Sequence, residues 1–437
     1  AQKKPVTVDD LTRGAAGAPS EITWSPDGRR LAYQQDRTVR LYDVAGKTSR
    51  NLVSLATLDA AATPVKPEPV YGWRNRRVQE QSLQWFPDGE SLLILAGGDL
   101  FRFSLASGEW TPLTSTAEHE EDPKLSPDGR RISFRRAGDL YSMEIESRAV
   151  TRLTRDGSAT LLNGGLDWVY PEELDLGTAH WWPSDSRHIA YLQLDVSRQP
   201  LYPHADLLPL RPAYEPQRYP KAGEPNAEVR LGIVSVSGGD TRWMELGDPR
   251  QWLLARVHWH PASDSLFVQR LNRVQNRLDL LRADAATGHS RVVLSERDEH
   301  WVNVGDFLRF LKNGGEFLWG SERDGYRHLY RYSVDGKQLA RLTSGEWEVT
   351  DLAGVDEDGG NAFYVSTEAS PLDRHLYRVG LSGGVRHQVT KAAGTHAVSM
   401  APDCGYFLDN FSSLTQPPRQ TVREISGAEW AVFVEAD

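Results

Sequence analysis

The chain has 437 residues, 39% of them hydrophobic and 25% charged, with a formal net charge of −10. That is the make-up of a folded globular protein, and basic pairs scattered among acids form no phosphate-binding stripe, which argues against nucleic acid as a partner. No apolar run approaches the roughly 18 to 20 residues of a membrane-spanning helix.

From the N-terminus, Ala1-Gln2-Lys3-Lys4 reads as a mature end left by a signal peptidase, which implies a periplasmic or secreted protein. A cassette then begins to recur. Trp24-Ser-Pro-Asp-Gly28 is followed by LAY, Trp85-Phe-Pro-Asp-Gly89 by LLIL, and Leu125-Ser-Pro-Asp-Gly129 by ISF. Weaker copies lie at Trp182–Asp185, His260–Asp264, Lys312–Gly315, Asp356–Gly359 and Met400–Asp403. In each, Pro presets φ and Asp-Gly supplies a tight reversal between two alternating strands. Two further strands follow in most copies, so each unit is a four-stranded blade that cannot bury both faces alone. Eight copies predict an all-β fold, an eight-bladed β-propeller of antiparallel blades, over residues 21–425. Residues 1–20 are expected to be an N-terminal segment, and 426–437 the start of a connection.

Two Pro-rich intervals, 54–80 and 195–228, are too long for a blade and read as insertions projecting from the ring. Between them, Gly165-Leu-Asp-Trp-Val-Tyr-Pro-Glu-Glu-Leu174 breaks the repeat. Pro followed by two acids reads as a short inserted helix with Pro171 at its first position. The bland reading is a helix start with solvated acids. The functional reading is that Glu172 and Glu173, about 100° apart around the helix, flank one ammonium group.

His258-Trp-His260 has no plausible third ligand, so no metal is expected there, and no cofactor motif occurs. Gly380-Leu-Ser-Gly-Gly384 matches a serine-hydrolase pattern, but hairpin arms flank it where a nucleophile needs a strand and a helix. Cys404, the only cysteine, sits in a repeat turn and reads as structural.

At residues 167–173 the sequence resembles the dipeptidyl peptidase IV family, in which an Asp-Trp-Val-Tyr stretch leads into a double glutamate. Trp181-Trp182-Pro, Arg218-Tyr-Pro-Lys-Ala-Gly223 and Glu322-Arg-Asp-Gly-Tyr-Arg-His-Leu-Tyr330 agree, in order, from about residue 20 to the end. The resemblance implies a propeller capping a C-terminal α/β-hydrolase domain that carries the Ser-Asp-His triad, so this segment alone is expected to be inactive. It implies that Glu172 and Glu173 bind the N-terminal amine of a peptide, supported by Asp167, Trp168 and Tyr170, and that X-Pro or X-Ala dipeptides are released. It also implies a homodimer formed through 195–228. Two features depart from the family: Leu95–Phe101 lacks the extension that supplies an arginine in animal members, and Trp301–Asp306 does not match the family's Gly-Arg-Phe loop. Two other readings compete. A non-catalytic periplasmic propeller of the Tol-associated kind carries the same cassettes, and an oligopeptidase or acylaminoacyl peptidase would share the fold; neither needs the acidic pair.

Overall fold

The computed structural model describes residues 7–8, 17–65, 81–214 and 216–434. Eight four-stranded antiparallel blades follow one another, over residues 20–54, 83–112, 121–152, 161–243, 252–297, 309–341, 349–388 and 395–434. Within each, strands pair in sequence order, with blade 4 adding a split first strand. First strands of blades 1 and 2, 4 and 5, and 7 and 8 approach one another, as the strands nearest the axis of a ring do.

The cassette explains both the turn and the ring. The Ser25 hydroxyl donates to Asp27 (2.5 Å) and accepts the Arg30 N–H (2.9 Å), while Gly28 takes φ +69°. Ser126, Asp128 and Arg131 repeat the arrangement around Gly129 at φ +69°. In the weaker copies Ser186, Ser263 and Cys404 hold the same left-handed position at φ +58°, +60° and +56°. The tryptophan ahead of the turn latches the blades together. Its indole N–H donates backward to the preceding blade: Trp85 to the Thr23 carbonyl (3.1 Å), Trp182 to Lys124 (3.2 Å), Trp259 to Trp181 (3.0 Å) and Trp24 to Ser399 (3.2 Å).

Apolar clusters then fill each blade-to-blade seam, the largest joining blades 4, 5 and 6. Blade 8 meets blade 1 through side chains. Phe433 stands edge-on to Tyr33 and Tyr42, and Trp430 donates to the Val44 carbonyl at 2.7 Å. These contacts explain why Glu429–Val434 forms the outer strand of blade 8 and not the start of a connection. Gly28 belongs to the same seam: a Cβ there would lie 2.7 Å from an Asp403 carboxylate oxygen. With Gly28 at φ +69°, Gly28→Ala is expected to lower stability by about 1 to 2 kcal/mol, measured as a fall in melting temperature. An unchanged midpoint would contradict this account of the turn.

The insertion at 54–80 begins differently from expectation. Leu55–Ala61 is a helix (α1) whose Leu58 is fully buried against blades 1 and 2. It packs onto the ring and does not project from it; residues 66–80 lie outside the described residues. The 195–228 arm does stand out, as two short ribbons pairing Leu201–Tyr202 with Gln217–Arg218 and Ala205–Asp206 with Ala213–Tyr214. Its tip exposes Leu207, Leu208, Leu210 and Tyr214. Among the described residues no helix is long and apolar enough to cross a membrane.

Candidate functional site

The first strand of blade 4 is broken. Leu161–Asn163 and His180–Trp181 both pair with His188–Asp195, and between them the chain leaves the sheet to form helix α2, Val169–Leu174. The helix starts two residues earlier than the sequence suggested, and Pro171 is its third residue. That position is tolerated because the first four N–H groups of a helix have no partner within it. Asp167 supplies the cap instead, accepting the Tyr170 N–H at 3.2 Å and the Gln199 amide at 2.6 Å. Desolvation pushes its carboxyl above the ordinary range, against the pull of those donors.

Three further contacts hold α2. Tyr170 is buried, and its hydroxyl accepts the Leu254 N–H of blade 5 at 3.2 Å. Trp168 packs on Tyr219 of the arm, ring centroids 4.5 Å apart. At the other end, Asp175 turns left-handed (φ 49°) and Arg256 donates to the Leu174 carbonyl at 2.7 Å. Asp167 and Trp168 thus tie the helix to the arm, and Tyr170 ties it to blade 5. Glu172 is half-buried and Glu173 exposed.

Sequence reasoning missed Arg256, Gln199 and Asp306. The Arg256 guanidinium donates to both Asp306 carboxylate oxygens, and its side chain is only 7% exposed. The one signal was a lone charge inside the apolar strand Trp252–Trp259. His258, two residues on, is held down to about pKa 4, chiefly by burial, with Arg256 and Arg309 adding to the shift and Asp306 opposing it. The His260 ring lies 2.7 Å from the Gly314 carbonyl, and among the described residues no three ligating side chains gather.

Because His258 binds its proton more weakly folded than unfolded, its contribution is complete above about pH 6.5 and lost as pH falls toward 4. Stability is expected to drop by about 1 to 2 kcal/mol between pH 7 and pH 5 from this residue alone. Melting curves of wild type and His258→Gln at both pH values check it. An identical pH dependence in the two proteins would contradict it.

In an antiparallel blade, the turn between second and third strands and the connection to the next blade emerge on one face. The arm and the 298–308 connection therefore share a face. A cavity of about 210 Å³ opens between blades 5 and 6, with Gln269, Glu296, Trp301, Phe307, Trp319 and Arg323 among its walls. On blade 2 the chain reverses tightly at Gly97-Gly98, both at positive φ, and Ala62 after α1 covers the turn. Leu95–Phe101 thus carries no extension.

The family model for the dipeptidyl peptidase IV (DPP IV) N-terminal region matches residues 86–418. The chain belongs to this family. Among curated relatives, "Probable dipeptidyl-aminopeptidase B" of Uncinocarpus reesii is 28% identical over 93% of this chain and 49% of its own length. The protein of the same name from Coccidioides posadasii is 31% identical over 89% of this chain and 47% of its own. The crystal structure of Porphyromonas gingivalis dipeptidyl peptidase 4 superposes with a TM-score of 0.84 at 26% identity, covering all of this chain and 62% of that one. The chain spans about half the length of the curated relatives it matches. Membership of the dipeptidyl peptidase IV family, with its eight-bladed propeller, separates this protein from the Tol-associated reading of the same cassettes.

Proposed function

We propose that the chain is the substrate-recognition propeller of a dipeptidyl peptidase IV-like serine exopeptidase, in which Glu172 and Glu173 bind the N-terminal ammonium of a peptide. One observation carries the reading: a helix that interrupts the first strand of blade 4 is fastened to blade 5 at two points and to the arm at a third, and bears two adjacent glutamates, one half-buried and one exposed. An ammonium has three donors, and two carboxylates satisfy most of them. At ~4 Å and an effective dielectric of ~20 each charge pair is worth up to roughly 4 kcal/mol before desolvation is subtracted.

The triad belongs to an α/β-hydrolase domain beyond this segment, so the distance between amine site and serine acts as a ruler. It admits a dipeptide, releases X-Pro or X-Ala, and rejects internal bonds. The exposed apolar tip of the arm fits a second copy of the chain, which favours a homodimer through 195–228. The test is amine dependence in the complete protein. H-Ala-Pro-p-nitroanilide is expected to be cleaved and its N-acetylated form left intact; equal cleavage of both would overturn the assignment.

A further inference from the structure

Arg256 is a charged group where the fold has no need of one. It lies in the first strand of blade 5, between Ala255 and Val257, which are both buried. The strand carries a bulge between Leu254 and Arg256, where one residue of the ladder is left without a partner opposite. Such a bulge re-aims the side chain that follows it. Here the result is a guanidinium directed at the end of α2, donating at 2.7 Å to the Leu174 carbonyl and at 2.7 Å to Ala255's. The Leu174 carbonyl is among the helix-terminal acceptors that have no partner within the helix. The other edge of the guanidinium holds Asp306, a mostly exposed residue flanked by Gly305 and Phe307 in the wall of the cavity between blades 5 and 6. Across the ladder, Arg256 faces Gln269, another wall residue, whose side-chain amide nitrogen is buried without a hydrogen-bond partner.

A buried guanidinium is a poor way to stabilise a sheet, because an apolar side chain of similar volume does as well or better. Its planar fork, however, fixes two partners in one geometry, which a flexible ammonium does not. We propose that Arg256 is a positioning residue: it locks the C-terminal end of the glutamate-bearing helix to the 298–308 connection and so sets where Glu172 and Glu173 stand. The inference rests on the amine-binding reading of those glutamates. It assigns Arg256 no contact with substrate; it acts through α2.

The test uses the full-length protein with two inhibitors that differ by one amine, alanyl-pyrrolidide and propionyl-pyrrolidide, alongside kinetics on H-Ala-Pro-p-nitroanilide. In Arg256→Met, KM is expected to rise about tenfold or more while kcat falls much less, as misplacement of a binding group by a fraction of an ångström requires. The preference for the amine-bearing inhibitor is expected to shrink by the same factor. General structural damage would weaken both inhibitors alike. Arg256→Lys, which keeps the charge but not the fork, is expected to restore part of the preference. Should Arg256→Met not fold, Asp306→Asn decides, since it removes the exposed end of the bridge and is expected to shift the preference the same way by a smaller factor. If Glu172→Gln abolishes the preference and neither the Arg256 nor the Asp306 variants alter it, the positioning role is wrong and the amine site stands. If Glu172→Gln leaves the preference untouched, the amine site itself is wrong.

Discussion

In the complete peptidase, Glu172→Gln and Glu173→Gln are each expected to lower kcat/KM for H-Ala-Pro-p-nitroanilide by about a hundredfold, with melting temperatures within a degree or two of wild type. The size follows from the bond lost. A hydrogen bond to a charged group is worth about 1.5 to 3 kcal/mol, and an ammonium left short of one acceptor in a cavity adds its own desolvation. The lack of a stability effect follows from where the two side chains lie: Glu173 is exposed, Glu172 half-buried, and the helix is held by Asp167, Tyr170 and Arg256. Glutamine keeps the shape but puts an NH2 donor in place of one carboxylate oxygen, so one acceptor and the negative charge are lost together. Kinetics of both variants unchanged from wild type would remove the basis of the proposed function, whatever the fold.

The largest expected effect on stability is at Tyr170. Its ring is buried in the cluster that joins blades 4, 5 and 6, and its hydroxyl receives the Leu254 N–H. Tyr170→Ala deletes an aromatic side chain at a three-blade seam and is expected to destabilise by about 3 to 5 kcal/mol. Tyr170→Phe keeps the packing and leaves one buried N–H without an acceptor, an effect of about 1 to 3 kcal/mol. Urea unfolding of the two variants separates the terms. Activity should follow the same order, since α2 is docked through this residue. If Tyr170→Phe proved as damaging as Tyr170→Ala, the hydroxyl and not the seam would be the chief anchor of the helix.

What the sequence disclosed, and what it hid, divides by the range of the interactions. The blade turns were legible because their chemistry is local: Ser25, Asp27 and Gly28 complete one another within four residues. The broken strand at blade 4 was legible for the same reason, as a run that fits no cassette. Helix α1 was not, because Leu55–Ala61 is short and becomes amphipathic only once Leu58 meets blades 1 and 2. The outer strand Glu429–Val434 was assigned to a connection because no cassette follows it, while Trp430 and Phe433 find their partners almost four hundred residues earlier, on blade 1. The start of α2 lies ahead of Pro171 because the Asp167 carboxylate accepts the Tyr170 N–H, a contact that Pro171 as the first helical residue would not have required. Of the candidate site, the two glutamates could be singled out by the break in the repeat and by family resemblance. Arg256 could not be understood without the bulge, the helix end and Asp306 in place together, since those partners lie 82 and 50 positions away in the chain.

The most direct test of the amine site is a double-mutant cycle between ligand and protein. Affinities of alanyl-pyrrolidide and propionyl-pyrrolidide are measured for full-length wild type and for the variant carrying both Glu172→Gln and Glu173→Gln, so that the coupling between one amine and two carboxylates is isolated from every other effect. The account predicts that wild type prefers the amine-bearing ligand by about a hundredfold and that the preference collapses in the double variant. A preference of equal size in both proteins would place the amine somewhere else and contradict the account.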